Sequence, residues 1–372
     1  MKKIVFCIYS LNVGGAEKLL LDLVKGLFET NNYEITVLVF QETESFIEKN
    51  VKKYCDFKTM ISKDDLQKKL YFNSLKNIYL SLAKKKNFNK VMEDKDIVID
   101  FLSGDFHKYI KPLKKIKKII WLHSEYEYLK TNKVDIEKKI IDYDKIITVC
   151  DEILYQIEEK QSYLKEKLKR VYAFFDLDRI SKKLEEENIF ENKKILEEKY
   201  FVTVCRLKEA DKDVATIIKA FENYKGEEKL YIVGDGEDRK NLEELSKKMV
   251  NKDKIIFLGM QENPYIIMKH SSAFILSSKS EGFGMVLVEA LFSGTKVISS
   301  NHKAGVNEIL EDGTLGKIFE VGNKEELLEL MNGISEFKVD RDKVLESLKK
   351  YELNAIIAEI EEIFNEKNSR NI

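Results

Sequence analysis

The chain has 372 residues, a length that fits two domains of ordinary size or one large one. Its 64 Lys and Arg residues nearly balance 65 Asp and Glu, and the net charge of −1 argues against a nucleic-acid-binding protein and against an acidic disordered chain. The four cysteines form no C-x-x-C pair, so neither a zinc site nor a disulfide framework is expected, and the chain suits a reducing cytoplasm. Neither a signal peptide nor a transmembrane helix is predicted, because no apolar run is long enough.

The first half of the chain alternates short β-branched runs with amphipathic segments. Strands are predicted at Lys3–Tyr9, Glu34–Phe40, Ile97–Leu102, Ile119–Leu122 and Lys145–Val149. Helices are predicted at Ala16–Phe28 and within Asp64–Met92, and the segment VYAFF at 171–175 is strand-like. Short apolar strands separated by helices indicate an α/β fold with a parallel sheet covered on both faces.

A second α/β series begins near residue 199. Its predicted strands are Tyr200–Cys205, Lys229–Val233, Ile255–Leu258, Ala273–Leu276 and Lys296–Ser299. Its predicted helices are Val214–Asn223, Arg239–Met249, Pro264–Lys269, Met285–Phe292, Val306–Leu310 and Lys324–Met331. Two doubly wound domains are therefore expected, residues 1–175 and 176–352. The last helix is predicted at about Leu353–Asn365. It can pack on either domain, so residues 353–372 can belong to the first domain although they follow the second in sequence.

Charge is distributed unevenly between the halves. Residues 1–175 hold 33 Lys and Arg against 26 Asp and Glu, a difference of +7, and residues 176–372 hold 31 against 39, a difference of −8. One basic segment, KYIKPLKKIKK, contains six lysines and no acid: Lys108, Lys111, Lys114, Lys115, Lys117 and Lys118. Such lysines can attract an anionic membrane, at about 1 kcal/mol each, but a solvated turn or helix face beside the next strand explains them equally simply.

The loops after the strands are the expected place for ligands in such sheets. Between the first strand and helix, Gly14 and Gly15 allow close approach of a ligand to a helix N-terminus, which favours anions. The pattern is not G-x-G-x-x-G or a P-loop, and alone it is more typical of a tight turn. His123, directly after a predicted strand, can donate and accept a hydrogen bond, and it suits a structural cap or a ligand contact. The spacing of the four histidines predicts no metal site.

Two loops of the second domain carry charged residues suited to a sugar diphosphate. Arg206 and Lys212 lie in one loop and can bind diphosphate oxygens, although surface ion pairs with Glu209 or Asp211 are the plain alternative. In the segment SKSEGFGMVLVE, Glu281 lies among glycines at a predicted helix N-terminus. Glu289 lies within that helix among apolar neighbours and needs a partner if it is buried.

In this order and spacing, the motifs resemble the retaining GT-B glycosyltransferases known as glycosyl transferases group 1, or family four. The resemblance covers nearly the whole chain and is strongest over Phe201–Gly322. It includes GGAE near the start, R-L-(x)4-K at Arg206–Lys212, VGDGEDRKNLEEL at Val233–Leu245 and GVNEIL at Gly305–Leu310. The Glu281 and Glu289 pair, spaced E-(x)7-E, is the family's signature. One departure is Asp213, where the family frequently has glycine.

The resemblance implies two Rossmann-like domains facing each other across a cleft, with a nucleotide-sugar bound mainly by the C-terminal domain and the acceptor by the N-terminal one. Glu281 and His123 are the implied catalytic residues. The residues implied for the donor are Arg206, Lys212, Gly14 and Gly15 at the diphosphate, Glu281, Gly282, Phe283, Gly284 and Met285 at the sugar and phosphate, Glu289 at the ribose, and Gly259, Met260, Gln261 and Glu262 near the base. The family needs no metal, because cationic side chains and helix N-termini neutralise the leaving diphosphate.

The leading hypothesis is therefore a metal-independent, retaining transferase that moves a hexosyl or N-acetylhexosaminyl unit from a UDP-sugar to a glycan or lipid-linked acceptor in cell-surface polysaccharide assembly. A cytoplasmic location, at or near the inner face of the membrane, is expected. Two alternatives stay open: a UDP-sugar epimerase of the same two-domain shape, and a non-catalytic partner subunit.

Overall fold

A computed structural model of the chain describes residues 1–12, 14–61, 73–102, 104–131, 135–189 and 193–366. Internal contacts divide the chain into two compact units. The first comprises Met1–Phe175 with Leu353–Ile372, and the second comprises Asp176–Glu352. The C-terminal helix therefore belongs to the first unit.

The first unit is built on a seven-stranded parallel sheet. Its strands are β1 Lys2–Ile8, β2 Tyr33–Val39, β3 Asp56–Thr59, β4 Ile97–Asp100, β5 Lys117–Leu122, β6 Lys145–Thr148 and β7 Leu168–Arg170, in the order β3-β2-β1-β4-β5-β6-β7. The interior strand β1 is buried from Ile4 to Ile8 and pairs with β2 and β4 on its two sides. This burial explains why its sequence is almost continuously apolar.

The helices of the first unit lie between the strands and at the end of the chain. They are α1 Gly15–Glu29, α2 Phe46–Val51, α3 Asn73–Met92, α4 His107–Ile110, α5 Tyr126–Thr131, α6 Ile136–Lys139, α7 Asp151–Lys160 and, from the C-terminus, α18 Leu353–Asn365. Helix α3 confirms the later part of the helix predicted within Asp64–Met92, while residues 64–72 lie outside the described residues. Helix α18 packs on α1, where Gly26 leaves room for the Ile357 side chain.

Two sequence predictions in this unit need correction. Residues 171–174 form no strand, and the edge strand β7 lies earlier, at Leu168–Arg170. The short strand β3 was not predicted, because DFKT has neither an apolar run nor a clean alternation that would mark it. Both are edge strands, where few neighbours impose an apolar pattern.

The lysine-rich segment is also different from the expected membrane-facing patch. Lys117 and Lys118 belong to β5 and are 4% and 2% exposed. The Lys117 amino group donates to the backbone carbonyls of Ile363 and Glu366, at 2.5 and 2.8 Å, at the end of α18. A lysine at this position satisfies carbonyl groups that have no partner within a helix. Lys117 therefore holds the end of the C-terminal helix, and both buried lysines are withdrawn from the expected membrane-facing surface.

The second unit has a six-stranded parallel sheet. Its strands are β8 Tyr200–Val204, β9 Lys229–Val233, β10 Ile255–Gly259, β11 Ala273–Leu276, β12 Val297–Ser300 and β13 Lys317–Phe319, in the order β10-β9-β8-β11-β12-β13. The five predicted strands are confirmed, and β13 is an additional edge strand. Strand β8 lies next to β11 in the sheet, with Ala273 opposite Phe201. The strand order reverses between these two strands, which makes their carboxyl ends the expected ligand position.

The helices of the second unit cover both faces of this sheet. They are α8 Leu177–Glu185, α9 Lys193–Leu196, α10 Glu209–Lys212, α11 Val214–Phe221, α12 Arg239–Ser246, α13 Pro264–Lys269, α14 Met285–Ser293, α15 Val306–Leu310, α16 Lys324–Gly333 and α17 Arg341–Leu348. Across the described part of both units, none of the helices combines the length and the apolar character that crossing a membrane requires.

Candidate active site

Lys212 and Glu281 form an ion pair at the switch point of the second sheet. Lys212 ends the short helix α10 after β8, and Glu281 lies in the loop after β11. The Lys212 amino group donates to Glu281 Oε1, which also accepts from the Ser278 hydroxyl at 2.6 Å. The two side chains are 18% and 13% exposed, so the pair is largely withdrawn from water. Burial acts to raise the pKa of Glu281, but Lys212, His302 and Ser278 outweigh it and lower that pKa, so Glu281 is a carboxylate at neutral pH.

Hydrogen bonds from serine hydroxyls to backbone carbonyls join the two loops. The Ser277 hydroxyl donates to the carbonyls of Lys212 and Asp213, at 3.0 and 2.9 Å. From the end of β12, the Ser300 hydroxyl donates to the Ser278 carbonyl at 2.6 Å and is fully buried. The position of the ion pair is therefore fixed by three neighbouring strand ends.

Glu281 leads directly into the N-terminus of α14. Gly284 is the N-terminal cap of this helix, with a φ of +86° that favours glycine, and no side chain caps the first turn. By contrast, the N-terminus of α11 is occupied by the Glu209 carboxylate, which accepts from the Val214 and Ala215 amides at 2.8 and 3.2 Å. The α14 N-terminus is thus the one of these two that remains open to an anionic ligand.

Arg206 lies in the loop after β8 and is exposed. Neither a hydrogen bond nor an ion pair involves its side chain within the described residues, so the surface ion pair considered from sequence is not formed there. The loop is held by the β9 loop: the Leu207 amide donates to the Asp235 carbonyl at 2.9 Å. Gly234 and Gly236 allow this contact, because a Cβ at these positions would lie 1.9 and 2.3 Å from the carbonyl oxygens of Cys205 and Leu207.

Glu289, expected at a ribose, already has a partner within the protein. It lies in α14, and its Oε1 accepts from the Tyr265 hydroxyl of α13 at 3.1 Å. The hydrogen bond meets the requirement for a partner that the apolar surroundings impose. The four residues expected near the base lie at and directly after the end of β10: Gly259, its last residue, has a φ of +69°, and the neighbouring Met260 is 63% exposed.

His302 is a site residue that the sequence reasoning missed. It follows β12 and is 2% exposed, and neither of its ring nitrogens has a hydrogen-bond partner among the residues that the structure describes. Its ring faces Gly284, where a Cβ would lie 3.4 Å from Cε1 and 3.5 Å from Nε2. Burial lowers the pKa of His302 to about 4, against the opposing effect of Glu281. Its place in the loop that follows a predicted strand, as one of only four histidines, was the available sequence signal.

The remaining predicted residues belong to the first unit. Gly14 and Gly15 lie at the N-terminus of α1, after β1, and Gly14 is its cap. His123 follows β5, with its ring stacked on Trp121 at 5.8 Å between ring centroids and tilted against Phe101 at 4.4 Å. Both of its ring nitrogens are enclosed without a hydrogen-bond partner among the described residues, and burial lowers its pKa to about 3. His123 is therefore a neutral imidazole at pH 7.

The structure thus brings Lys212, Glu281 and the α14 N-terminus together and places Glu289 inside α14. It leaves Gly14, Gly15 and His123 after strands of the first unit. Among the described ranges, no group of three or more His, Cys, Asp or Glu side chains is arranged to hold a metal ion.

Comparisons with known proteins identify similar sequences and structures. Residues 185–355 match the family model "Glycosyl transferases group 1". One similar protein is the Campylobacter jejuni N-acetylgalactosamine-N,N'-diacetylbacillosaminyl-diphospho-undecaprenol 4-alpha-N-acetylgalactosaminyltransferase, 31% identical over 43% of this chain and 42% of that protein. Relatives at 31% identity are thus matched over only about half of their length, 42% and 53%.

Two further comparisons cover most of the chain. A second Campylobacter jejuni protein, the GalNAc-alpha-(1->4)-GalNAc-alpha-(1->3)-diNAcBac-PP-undecaprenol alpha-1,4-N-acetyl-D-galactosaminyltransferase, is 27% identical over 88% of this chain and 86% of its own length. The structure of Anabaena Alr3699/HepE in complex with UDP-glucose matches with a TM-score of 0.78 at 17% identity, over 98% of this chain and 99% of that one. The fold is therefore GT-B, and residues 185–355, which contain the Lys212 and Glu281 site, match the model of the glycosyl transferases group 1 family.

Proposed function

We propose that the protein is a glycosyltransferase that moves a hexosyl or N-acetylhexosaminyl unit from a UDP-sugar to a glycan or lipid-linked acceptor, with retention of anomeric configuration. The observation that carries the proposal is the buried Lys212 and Glu281 pair beside the uncapped N-terminus of α14. A carboxylate that accepts hydrogen bonds from sugar hydroxyls and a cation for phosphate are here held in one place.

The reaction requires that negative charge be stabilised as it develops on the leaving group. The bond from the anomeric carbon to the diphosphate oxygen breaks, and UDP leaves with the bonding electrons. The acceptor oxygen bonds to the same carbon on the same face, and its proton passes to an oxygen of the leaving phosphate. Lys212, Arg206 and the α14 amides are the groups proposed to balance the charge, without a metal or cofactor.

Glu281 is proposed to bind the donor sugar, and Glu289 the ribose with Tyr265 as its supporting partner. Glu281 and Glu289 are not proposed as a glycosidase pair, which would hold two carboxylates about 5–5.5 Å apart around the scissile bond. From the first unit, Gly14 and Gly15 are proposed to approach the diphosphate. His123, a neutral imidazole, is proposed to hydrogen-bond at the reacting centre.

A lipid-linked acceptor is proposed because both Campylobacter relatives are named for undecaprenol-linked substrates. Four lysines of the basic segment remain exposed for contact with an anionic membrane: Lys108, Lys111, Lys114 and Lys115. Of these, Lys111 pairs with Asp142 at 3.2 Å, whereas Lys108, Lys114 and Lys115 form no ion pair among the described residues. Each such lysine adds about 1 kcal/mol near an anionic surface.

The proposal is tested by incubating the purified protein with UDP-glucose, UDP-galactose, UDP-GlcNAc and UDP-GalNAc. A true donor raises the melting temperature by mass action, and UDP is released when an acceptor is supplied. Lys212→Ala and Glu281→Ala are expected to lower turnover about 10²- to 10³-fold, the range for losing one preorganised charge-stabilising group.

Lys279→Ala is the matched control, because Lys279 is 46% exposed in the same loop and pairs with Asp213 rather than with Glu281. It should keep wild-type turnover. Normal turnover in both site variants, with folding verified by circular dichroism, would refute the site. Formation of an epimerised UDP-sugar without acceptor would indicate an epimerase and not a transferase. UDP binding without any turnover would indicate a partner subunit.

A further inference from the structure

His302 has no role in the function proposed so far, although its ring lies beside Gly284, the N-terminal cap of α14. The ring is packed under the turn that carries Glu281 and Gly284, and it replaces solvent on that side. The backbone holds it there: the His302 amide donates to the Ser300 carbonyl, and the His302 carbonyl accepts from the Ala304 amide, both at 2.9 Å. Ser300 in turn binds the Glu281 loop through the Ser278 carbonyl.

The ring is an unusual group to bury in this way. A neutral imidazole has one N–H donor and one acceptor, and both ring nitrogens are enclosed without partners within the described residues. Leaving such groups unpaired costs free energy, so an unsatisfied buried group calls for an explanation. A phenylalanine would fill a similar volume without this cost.

The charged groups that act on the ring are Glu281 and Lys212. In the structure, Lys212 is bound to Glu281. A diphosphate needs that lysine, and a lysine that turns to phosphate oxygens leaves Glu281, only 13% exposed, without its cation. An uncompensated buried carboxylate is costly and becomes prone to protonation.

We propose that His302 is a positioning residue that takes over Glu281, by an imidazole N–H donated to its carboxylate, when the donor's diphosphate draws Lys212 away. Ser278 keeps its own hydrogen bond to Glu281 through the exchange. On this proposal, the ring nitrogens lack a partner among the described residues because the carboxylate that the N–H would donate to is still bound by Lys212. The inference rests on the proposed function for the identity of the diphosphate, but the exchange itself is a property of three side chains.

The exchange is tested first without any donor. Lys212→Met removes the amino group and leaves Glu281 free to pair with His302. The four histidines give four ring Cε1–H signals in an NMR titration, and the His302 signal is assigned by its loss in His302→Asn. In Lys212→Met, the pKa of His302 should rise by more than one unit.

Part of that rise would follow from the loss of a nearby positive charge alone. The double variant Lys212→Met/Glu281→Gln separates the two causes, because the lysine charge is still absent while the carboxylate is gone. At least half of the rise should disappear in the double variant. Lys279→Met, whose lysine pairs with Asp213, should leave His302 unchanged. An equal pKa of His302 in the single and double variants would overturn the proposal.

Turnover tests the same step in the working enzyme. His302→Phe keeps the ring and loses the N–H, and kcat should fall about 10- to 100-fold, as for a lost hydrogen bond to a charged group, while KM changes less than about threefold. His302→Asn can still donate and should recover most of kcat. Equal losses of kcat in both variants would mean that His302 contributes only packing. A wild-type protein that releases no UDP would refute the transferase, while the NMR result would still decide the exchange.

Discussion

Gly234 is the glycine at the candidate site where an added side chain would overlap most with the backbone. Its φ is +128°, and a Cβ there would lie 1.9 Å from the Cys205 carbonyl oxygen. That carbonyl belongs to backbone directly before Arg206, so it has no flexible end that can move aside. Gly234→Ala must therefore displace either the β9 loop or the loop that carries Arg206.

The magnitude follows by comparison with a second glycine of the same unit. Gly322 has a φ of +78°, and a Cβ there would meet nothing within 4 Å. Gly322→Ala therefore adds only left-handed strain, partly offset by a less flexible unfolded chain, for a net loss of about 1 kcal/mol. Gly234→Ala adds backbone strain and an overlap of more than 1 Å with a main-chain atom, and it should cost about 3 kcal/mol or more.

The two variants are compared by urea unfolding and by UDP binding in a calorimeter. Gly322→Ala should bind UDP as wild type does. Gly234→Ala, where it still folds, should bind at least about tenfold more weakly, because the Arg206 backbone has moved. Equal losses of unfolding free energy in the two variants would show that the contact with Cys205 does not constrain the loop, and the reasoning would fail.

Two further predictions concern buried charge in the first unit. Burial raises the pKa of Asp100 to about 7, against hydrogen bonds from Tyr143 and the Phe106 amide. The stabilising contribution of protonated Asp100 is complete below pH ~4 and is lost as the pH rises through 7, so the free energy of unfolding should fall over that range. In urea titrations, Asp100→Asn should flatten this dependence of the free energy of unfolding on pH. Burial also lowers the pKa of Lys117 to about 8, so the free energy of unfolding should fall as the pH falls from about 10 through 8. Lys117→Met should remove this pH dependence. An unchanged pH dependence in the variant would mean that Lys117 is not the group responsible.

The sequence predicted the strands of the second unit well because all five predicted ones lie inside the sheet or carry long apolar runs. It predicted the positions of Arg206, Lys212 and Glu281 for a related reason: motifs at strand ends are local in sequence, and parallel strands bring their carboxyl ends to one edge. Asp213 illustrates the limit. It adopts a left-handed φ of +48°, which explains why glycine suits this position, yet its sequence signal was only a departure from a family pattern.

The features that sequence reasoning missed depend on contacts between distant segments. Lys117 is 246 residues from Ile363, and nothing in a lysine-rich segment distinguishes a lysine that binds a helix end from one that faces solvent. His302 likewise acquires meaning only from Gly284 and Glu281, which belong to another strand end. The strand expected at 171–175 was apolar because Ala173, Phe174 and Phe175 are buried in loop conformation, where burial gives the same composition without strand geometry.

The charges of the second unit favour one order of events at the site. Residues 176–352 carry 29 Lys and Arg against 35 Asp and Glu, a balance of −6, so the proposed anionic donor would approach a unit of like net charge. Lys212 is committed to Glu281 and offers little net attraction until that pair is broken. In the proposed function, Arg206, exposed and unpaired within the described residues, is the cation that an incoming diphosphate should meet first. That first contact should govern the association rate and should weaken as salt is added. The exchange at Lys212 should govern how firmly the donor is held.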